Sequence, residues 1–209
     1  PGGKRIRPIL LLASGELFGA KRKALMPFAC AVEMIHGYSL IHDDLPALDN
    51  DDLRRGEPTN HKVFGEGIAL LAGDGLLTEA FHILSAPEVS AAVPAQLALK
   101  LIHELAHAVG VAGLVGGQAY DLEAERRDVE IGVVEYIHVR KTGALIRASI
   151  RLGAQLAGPM VAVLVVGARP SGQASGARPQ SRARSTYFAS VDSRLPVMPM
   201  RRVPILRKG

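Results

Sequence analysis

A long apolar stretch in this chain ends in a crowd of carboxylates. Met26 to His42 is largely apolar and carries only one glycine, Gly37; five aspartates follow between Asp43 and Asp52, with Arg54 and Arg55 directly behind them. Like charges at this density repel, and each makes the next harder to ionise, so such a run is usually held together by something cationic between the carboxylates. The fold must therefore bury the apolar stretch and still leave its acidic end open to a ligand. Pro46 lies three residues past Asp43; lacking an N–H, it predicts that the helix stops or kinks there.

The remaining chain reads as helix. Apolar residues make up 48% of the 209 residues but aromatics only 4%, with no Trp, so the core must come from Leu, Ile, Val and Ala, a composition that leans towards helix. Helical patterns start near Arg7 and recur over Met26–His42, 64–85, Pro94–Val115 (stopping at Gly116-Gly117), 118–126 and 130–157, while Arg54–Asn60 reads as a loop. Nothing before residue 160 reads as a strand pair, so the expected class is all-α. One cysteine, Cys30, excludes an internal disulfide framework and fits a reducing, cytoplasmic setting. No segment offers about 18 clean apolar residues, so no membrane span is expected. The chain begins at Pro1 rather than Met, which points to a missing N-terminal piece.

The net charge of +5 is unevenly placed. Gly167 to Gly209 holds eight Arg, one Lys and one Asp, or +8, which leaves −3 for the first 166 residues. A nucleic-acid face needs Lys and Arg spread over a folded surface, and the body has no such excess. The region 159–209 is rich in Gly, Pro, Ser and Arg without apolar periodicity, and is expected to be an irregular tail beyond a helical domain spanning 1–158.

Three stretches carry chemistry. Asp43, Asp44 and Asp49 are the first. His36 lies seven residues before Asp43, two helical turns and hence the same face, and the arginines add forked donors. Carboxylates with arginines suit a metal-bound phosphate or diphosphate, because Mg²⁺ takes a few carboxylates and completes its shell from phosphate and water. An EF-hand starting at Asp49 fails, since its sixth position is Arg54 and its twelfth Asn60. The second stretch is "GGKRIRP", where Gly2 and Gly3 allow close approach and Lys4 and Arg7 supply cations; a plain basic loop is the competing reading. The third is "HVRKTGALIRAS", which puts Lys141 and Thr142 on an otherwise apolar helix; the residues alone leave a structural and a binding role equally open.

In order, "GGKRIRP", "EMIHGYSLIHDDLPALDNDDLRRGEPTNHKVFGE", "LLAGDGLLTEAF", "GLVGGQAYDLEAE" and "YIHVRKTGALI" resemble the trans-isoprenyl diphosphate synthases, most closely the bacterial farnesyl diphosphate synthases, from Pro1 to about Ala157. The resemblance implies an all-helical isoprenoid-synthase bundle around a central cavity, acting as a homodimer that joins isopentenyl diphosphate to an allylic diphosphate, dimethylallyl or geranyl. It implies that Asp43 and Asp49, with Asp44 nearby, hold Mg²⁺ on the allylic diphosphate. Arg54 would touch that diphosphate, with Lys141 and Thr142 reaching it from across the cavity. Lys4, Arg7, His36 and Arg55 would hold isopentenyl diphosphate. Tyr38, five residues before Asp43, with Ser39 beside it, would limit the product to fifteen carbons; the Pro46-Ala47 insertion points the same way. Gln118 and Asp121, one helix face at i and i+3, would face the cavity in a structural or a catalytic role.

Two features run against that frame. "HELAH" from His103 matches the zinc-peptidase helix, with His103 and His107 one turn apart and Glu104 as base, but Gly113 stands where the extended motif has its third histidine, and the stretch fits better as the family's small-residue helix leading into "GLVGGQ". The family also carries a second aspartate-rich motif in its C-terminal third. Here the only aspartate after Asp128 is Asp192, and no Glu follows Glu135. The simplest account is a reading-frame change near Gly158 or a gene fragment, with the C-terminal helices missing. Impaired turnover is the consequence, and a chain that binds diphosphates or a full-length partner without catalysis is the alternative.

Overall fold

In the computed structural model, residues 3–125 and 128–158 are described. They all lie in the first of two compact units, Pro1–Pro170; the second is Ser171–Gly209. The expectations for 159–209 lie outside the described residues.

The described chain runs α1 (Ile6–Leu17), α2 (Arg22–Asp43), a two-residue antiparallel pair β1 (Leu53–Arg54) and β2 (Glu57–Pro58), α3 (Asn60–Phe64), α4 (Glu66–Leu84), α5 (Pro87–Ala92), α6 (Ala95–Val109), α7 (Leu114–Ala124), α8 (Ile131–Ile137), a π-helical turn (His138–Gly143) and α9 (Ala144–Leu156). The all-α architecture expected from the sequence is what the chain adopts. The short strand pair is the exception: Leu53 faces Pro58 and Arg54 faces Glu57 in the segment that reads as a plain loop. The turn between them needs φ +58° at Arg55 and +84° at Gly56, a conformation that glycine adopts freely and arginine only when held.

α2 is the spine. It packs against α4 along one side and α1 along another, and α1 in turn lies on α9. Leu25, Phe28, Val32 and Ile35 of α2 are fully buried with Leu11 of α1, Leu84 of α4, Leu101 and Leu105 of α6, and Leu145 and Leu152 of α9. Each such side chain withdrawn from water contributes about 1.5–3 kcal/mol. α2 therefore cannot shift without disturbing most of the core, and its last turn, His42-Asp43, is held firmly in place.

Two expectations need correction. The helix after Pro94 ends at Val109 rather than at Gly116-Gly117. The break lies between Val109 and Leu114, where a Cβ on Gly113 would overlap the Ala108 carbonyl, while Gly116 and Gly117 lie inside α7. The second concerns membranes. Arg22–Asp43, Glu66–Ala92 and Ala95–Ala124 are each long and apolar enough to cross one by length and composition. They escaped notice because a few polar residues interrupt each run, and a window average tolerates what an unbroken apolar count does not.

Candidate active site

The aspartate run divides according to what each carboxylate meets. Asp43 closes α2 and is half-buried; Asp44 is buried; Asp49 is exposed. The chain past Asp43 turns back on itself, with Asp49 N–H donating to the Asp43 carbonyl at 2.8 Å and Asn50 N–H to Leu45 at 3.2 Å. This returns Asp49 to the end of α2. Arg54 Nε donates to Asp44 Oδ1 at 2.6 Å, and the same guanidinium lies 3.6 Å from Asp51. Asp52 pairs with Lys62 at 2.7 Å. Thr59 Oγ1 donates to the Asp51 carbonyl at 2.7 Å and meets His61 Nδ1 at 3.1 Å, which fixes the base of the hairpin.

Asp43 is thus left with Asp49 beside it. Burial pushes its carboxyl up to about 6, opposed by the Lys141 charge and reinforced by Asp49 and Asp44. A carboxyl held this high gains from any cation that arrives. Among the described residues no three His, Cys, Asp or Glu side chains gather closely enough to hold an ion by themselves. The donor set at Asp43 and Asp49 still fits Mg²⁺, an ion that binds through one or two carboxylates and takes its remaining ligands from substrate phosphate and water. Asp44, also expected at the metal, is instead engaged by Arg54. The guanidinium expected on a diphosphate is likewise committed within the chain.

Lys141 is the facing cation. It rides on the π-helical turn, a rare register that occurs frequently at functional sites. Its ammonium donates to Asp121 Oδ2 at 2.6 Å. Burial pulls Lys141 down, but the Asp121 bond and the charges of Asp43, Asp121 and Asp49 outweigh it and raise its pKa above the usual value. A Cβ on Gly117 would overlap the Lys141 backbone, so only glycine lets α7 come this near. Thr142 is exposed on the same turn. Gln118 is half-buried, and among the described residues both its side-chain polar atoms lack partners.

The second basic cluster forms at the start of the chain. Arg7 Nη1 meets His36 Nε2 at 3.2 Å. Burial, then the Arg7 charge, lowers His36 to about 4, so His36 is a neutral imidazole at pH 7. Burial also lowers Arg7, offset in part by Glu33, and its Nε has no partner among the described residues. The Arg55 guanidinium lies against Gly3, which brings "GGKRIRP" and the hairpin together; Lys4 is exposed. Arg5, which drew no notice in the sequence, pairs with Glu33. Its φ of +52° at the start of α1 is the strained turn that presents Arg7.

Tyr38 and Ser39 are both buried in α2. Tyr38 is buried at 6% exposure and its phenol is raised by burial and by Asp43. Ser39 Oγ donates to the His36 carbonyl at 2.9 Å, so its hydroxyl is turned into its own helix. The zinc reading of His103, Glu104 and His107 loses its base. Arg151 engages one Glu104 oxygen and Gln155 Nε2 donates to the other at 2.7 Å, tying α6 to α9.

The polyprenyl synthetase family model matches residues 1–174. The chain belongs to that family. It is 53% identical over 157 residues to the farnesyl diphosphate synthase of Geobacillus stearothermophilus, covering 75% of this chain and 52% of that protein. It is 54% identical over 158 residues to the geranylgeranyl diphosphate synthase of Cyanophora paradoxa, with the same 75% and 52% coverage. A solved geranyltransferase from Legionella pneumophila superposes with a TM-score of 0.72 at 43% identity, covering 76% of this chain and 55% of that one. The chain thus spans about half the length of the curated relatives it matches. These polyprenyl synthetase relatives carry different product names at nearly equal identity, so overall similarity does not set product length.

Proposed function

We propose that this chain is a prenyltransferase that joins isopentenyl diphosphate to dimethylallyl or geranyl diphosphate, with farnesyl diphosphate as product. The observation that carries the reading is Asp43, a carboxyl raised to about 6 with Asp49 beside it and Lys141 near enough to act on both. Asp43 and Asp49 would hold Mg²⁺ at the allylic diphosphate, where the ion would supply Lewis-acid stabilisation of the leaving group. Lys141, held by Asp121, reaches the same group and steadies its growing negative charge, fixed before the reaction begins. Neutral His36, with Arg7, Arg55 and Lys4, holds isopentenyl diphosphate. The apolar face of α2 keeps water from the carbocation. The double bond of isopentenyl diphosphate then attacks, and the released diphosphate takes the proton. Tyr38 closes the end of the growing chain. Two copies pair, an arrangement supported by the exposed apolar side chains Ile68, Leu70 and Leu71 of α4. A reducing, cytoplasmic setting accords with the free, exposed Cys30.

Radiolabelled isopentenyl diphosphate incubated with geranyl diphosphate and Mg²⁺ tests this. A labelled fifteen-carbon product is expected. Mg²⁺-dependent binding of both diphosphates without product would leave a binding chain, and neither binding nor product would overturn the proposal.

A further inference from the structure

We propose that His61 is a positioning residue, held in the Nδ1–H tautomer, that places the Arg54-Arg55 hairpin for the isopentenyl diphosphate site. The inference rests on the reading of Arg7, His36 and Arg55 as that site. The hairpin does not hold itself. β1 and β2 have two residues each, and so short a two-stranded pair is marginal in water. Thr59 ties its base. The Thr59 N–H donates to the Asp52 carbonyl at 3.0 Å, and its Oγ1 donates to the Asp51 carbonyl at 2.7 Å. His61 stands behind Thr59, with Nδ1 3.1 Å from Oγ1. Both are out of water, Thr59 at 2% exposure and His61 at 7%.

A hydroxyl has a single proton to give, and a carbonyl can only accept. The Thr59 proton goes to Asp51, so Oγ1 meets His61 as an acceptor, and Nδ1 must carry the imidazole proton. Nε2 then holds a lone pair; it is buried and has no partner among the described residues. The opposite tautomer would draw the Thr59 proton away from Asp51 and bury an unpaired N–H at Nε2, which costs more than an unpaired acceptor gains. The relay from His61 through Thr59 to Asp51 fixes the base of the hairpin. At its far end the Arg55 guanidinium lies against Gly3 beside that of Arg5, and the charges of Arg55 and Arg54 reach His36. A second tie, Lys62 to Asp52 at 2.7 Å, is exposed on both sides, and exposed pairs contribute little. The buried relay therefore governs where the two arginines sit.

Two substitutions separate the ring nitrogens. His61→Asn puts an amide N–H where Nδ1 stands, and His61→Gln puts one where Nε2 stands. The full chain is titrated calorimetrically with isopentenyl diphosphate and, separately, with geranyl thiolodiphosphate and Mg²⁺. His61→Gln is expected to bind isopentenyl diphosphate about tenfold or more weakly and geranyl thiolodiphosphate within about threefold of the unaltered chain. His61→Asn and Lys62→Ala should keep both ligands within about threefold. In protein with isotopically labelled histidines, the nitrogen NMR signal that His61→Asn removes should be that of an imidazole protonated at Nδ1. An unprotonated Nδ1, equal losses in His61→Asn and His61→Gln, or a parallel loss of both ligands in His61→Gln, as a merely structural role would give, would overturn the inference. If His61→Gln fails to fold, Thr59→Val takes its place, since it removes the hydroxyl of the same relay at nearly equal size. If the unaltered chain binds no isopentenyl diphosphate, the reading of the site falls, and this inference with it. Isopentenyl diphosphate binding that no relay variant changes removes the inference alone.

Discussion

Arg54 Nε sits 2.6 Å from Asp44 Oδ1, and that bond engages one aspartate of the run within the chain. Asp44 is 3% exposed and already neutralised from within the chain. Arg54 in turn is raised above its ordinary pKa, first by its Asp44 hydrogen bond. Among the described residues Asp43 and Asp49 have no such partner.

Removing the guanidinium would strand a buried carboxylate. Arg54→Ala is expected to cost about 3 kcal/mol of stability, the usual consequence of leaving one member of a buried pair unpaired. Arg54→Lys should recover part of that loss, having one donor where the fork has several. Urea unfolding of the three proteins at pH 7 measures it, and equal midpoints would show the pair to be superficial.

Asp43 makes stability depend on pH. Its folded pKa, about 6, lies above the ordinary 3.8, so the folded state favours the protonated form. The stabilisation is fully present below about pH 4 and is lost as pH rises through about 6. Asp43→Asn is therefore expected to be more stable than the unaltered chain at pH 7.5 by about 1 kcal/mol, a figure reduced for the exposed part of the group, and to match it at pH 4. Melting curves at the two pH values check this; a difference that does not vary with pH would contradict it.

The Glu104 junction predicts a stability effect and no metal. Glu104→Gln is expected to cost about 1–3 kcal/mol because Arg151 loses its charged partner. Dialysed protein should carry far less than one zinc per chain by elemental analysis. Stoichiometric zinc would restore the peptidase reading.

Gly117 predicts a coupled loss. Gly117→Ala drives a methyl into the Lys141 backbone. About 1–3 kcal/mol of overpacking strain is expected, along with weaker diphosphate binding because Lys141 moves with the π-helical turn. A lower melting temperature with unchanged affinity would separate Lys141 from the site.

Helix existence was legible because apolar runs and breakers act locally. The helix patterns around Met26–His42 and over 64–85 correspond to α2 and α4. The break before α7 was misplaced because the Gly116-Gly117 pair looks like a stop, whereas Gly117 is there for the approach of Lys141, a contact twenty-four residues away in sequence. The density of carboxylates at the end of α2 was legible from residue type and order, whereas the residues around Lys141 left its role open and only the fold sets its charge near Asp43. The pairing of Asp44 with Arg54 was not, since it depends on a strand pair only two residues long with Arg55 in a left-handed conformation. Arg5 was passed over for a similar reason: it acts through a partner twenty-eight residues distant, and nothing local marks it.

Mg²⁺-dependent capture of an allylic diphosphate at Asp43 and Asp49 is the central claim. The most direct measurement is calorimetric titration of geranyl thiolodiphosphate into the full chain, with Mg²⁺ and then with EDTA, repeated for Asp43→Asn and Asp49→Asn. The account predicts binding in Mg²⁺ that EDTA abolishes and that each substitution weakens about tenfold or more. Equal binding in EDTA, or in both variants, would contradict it.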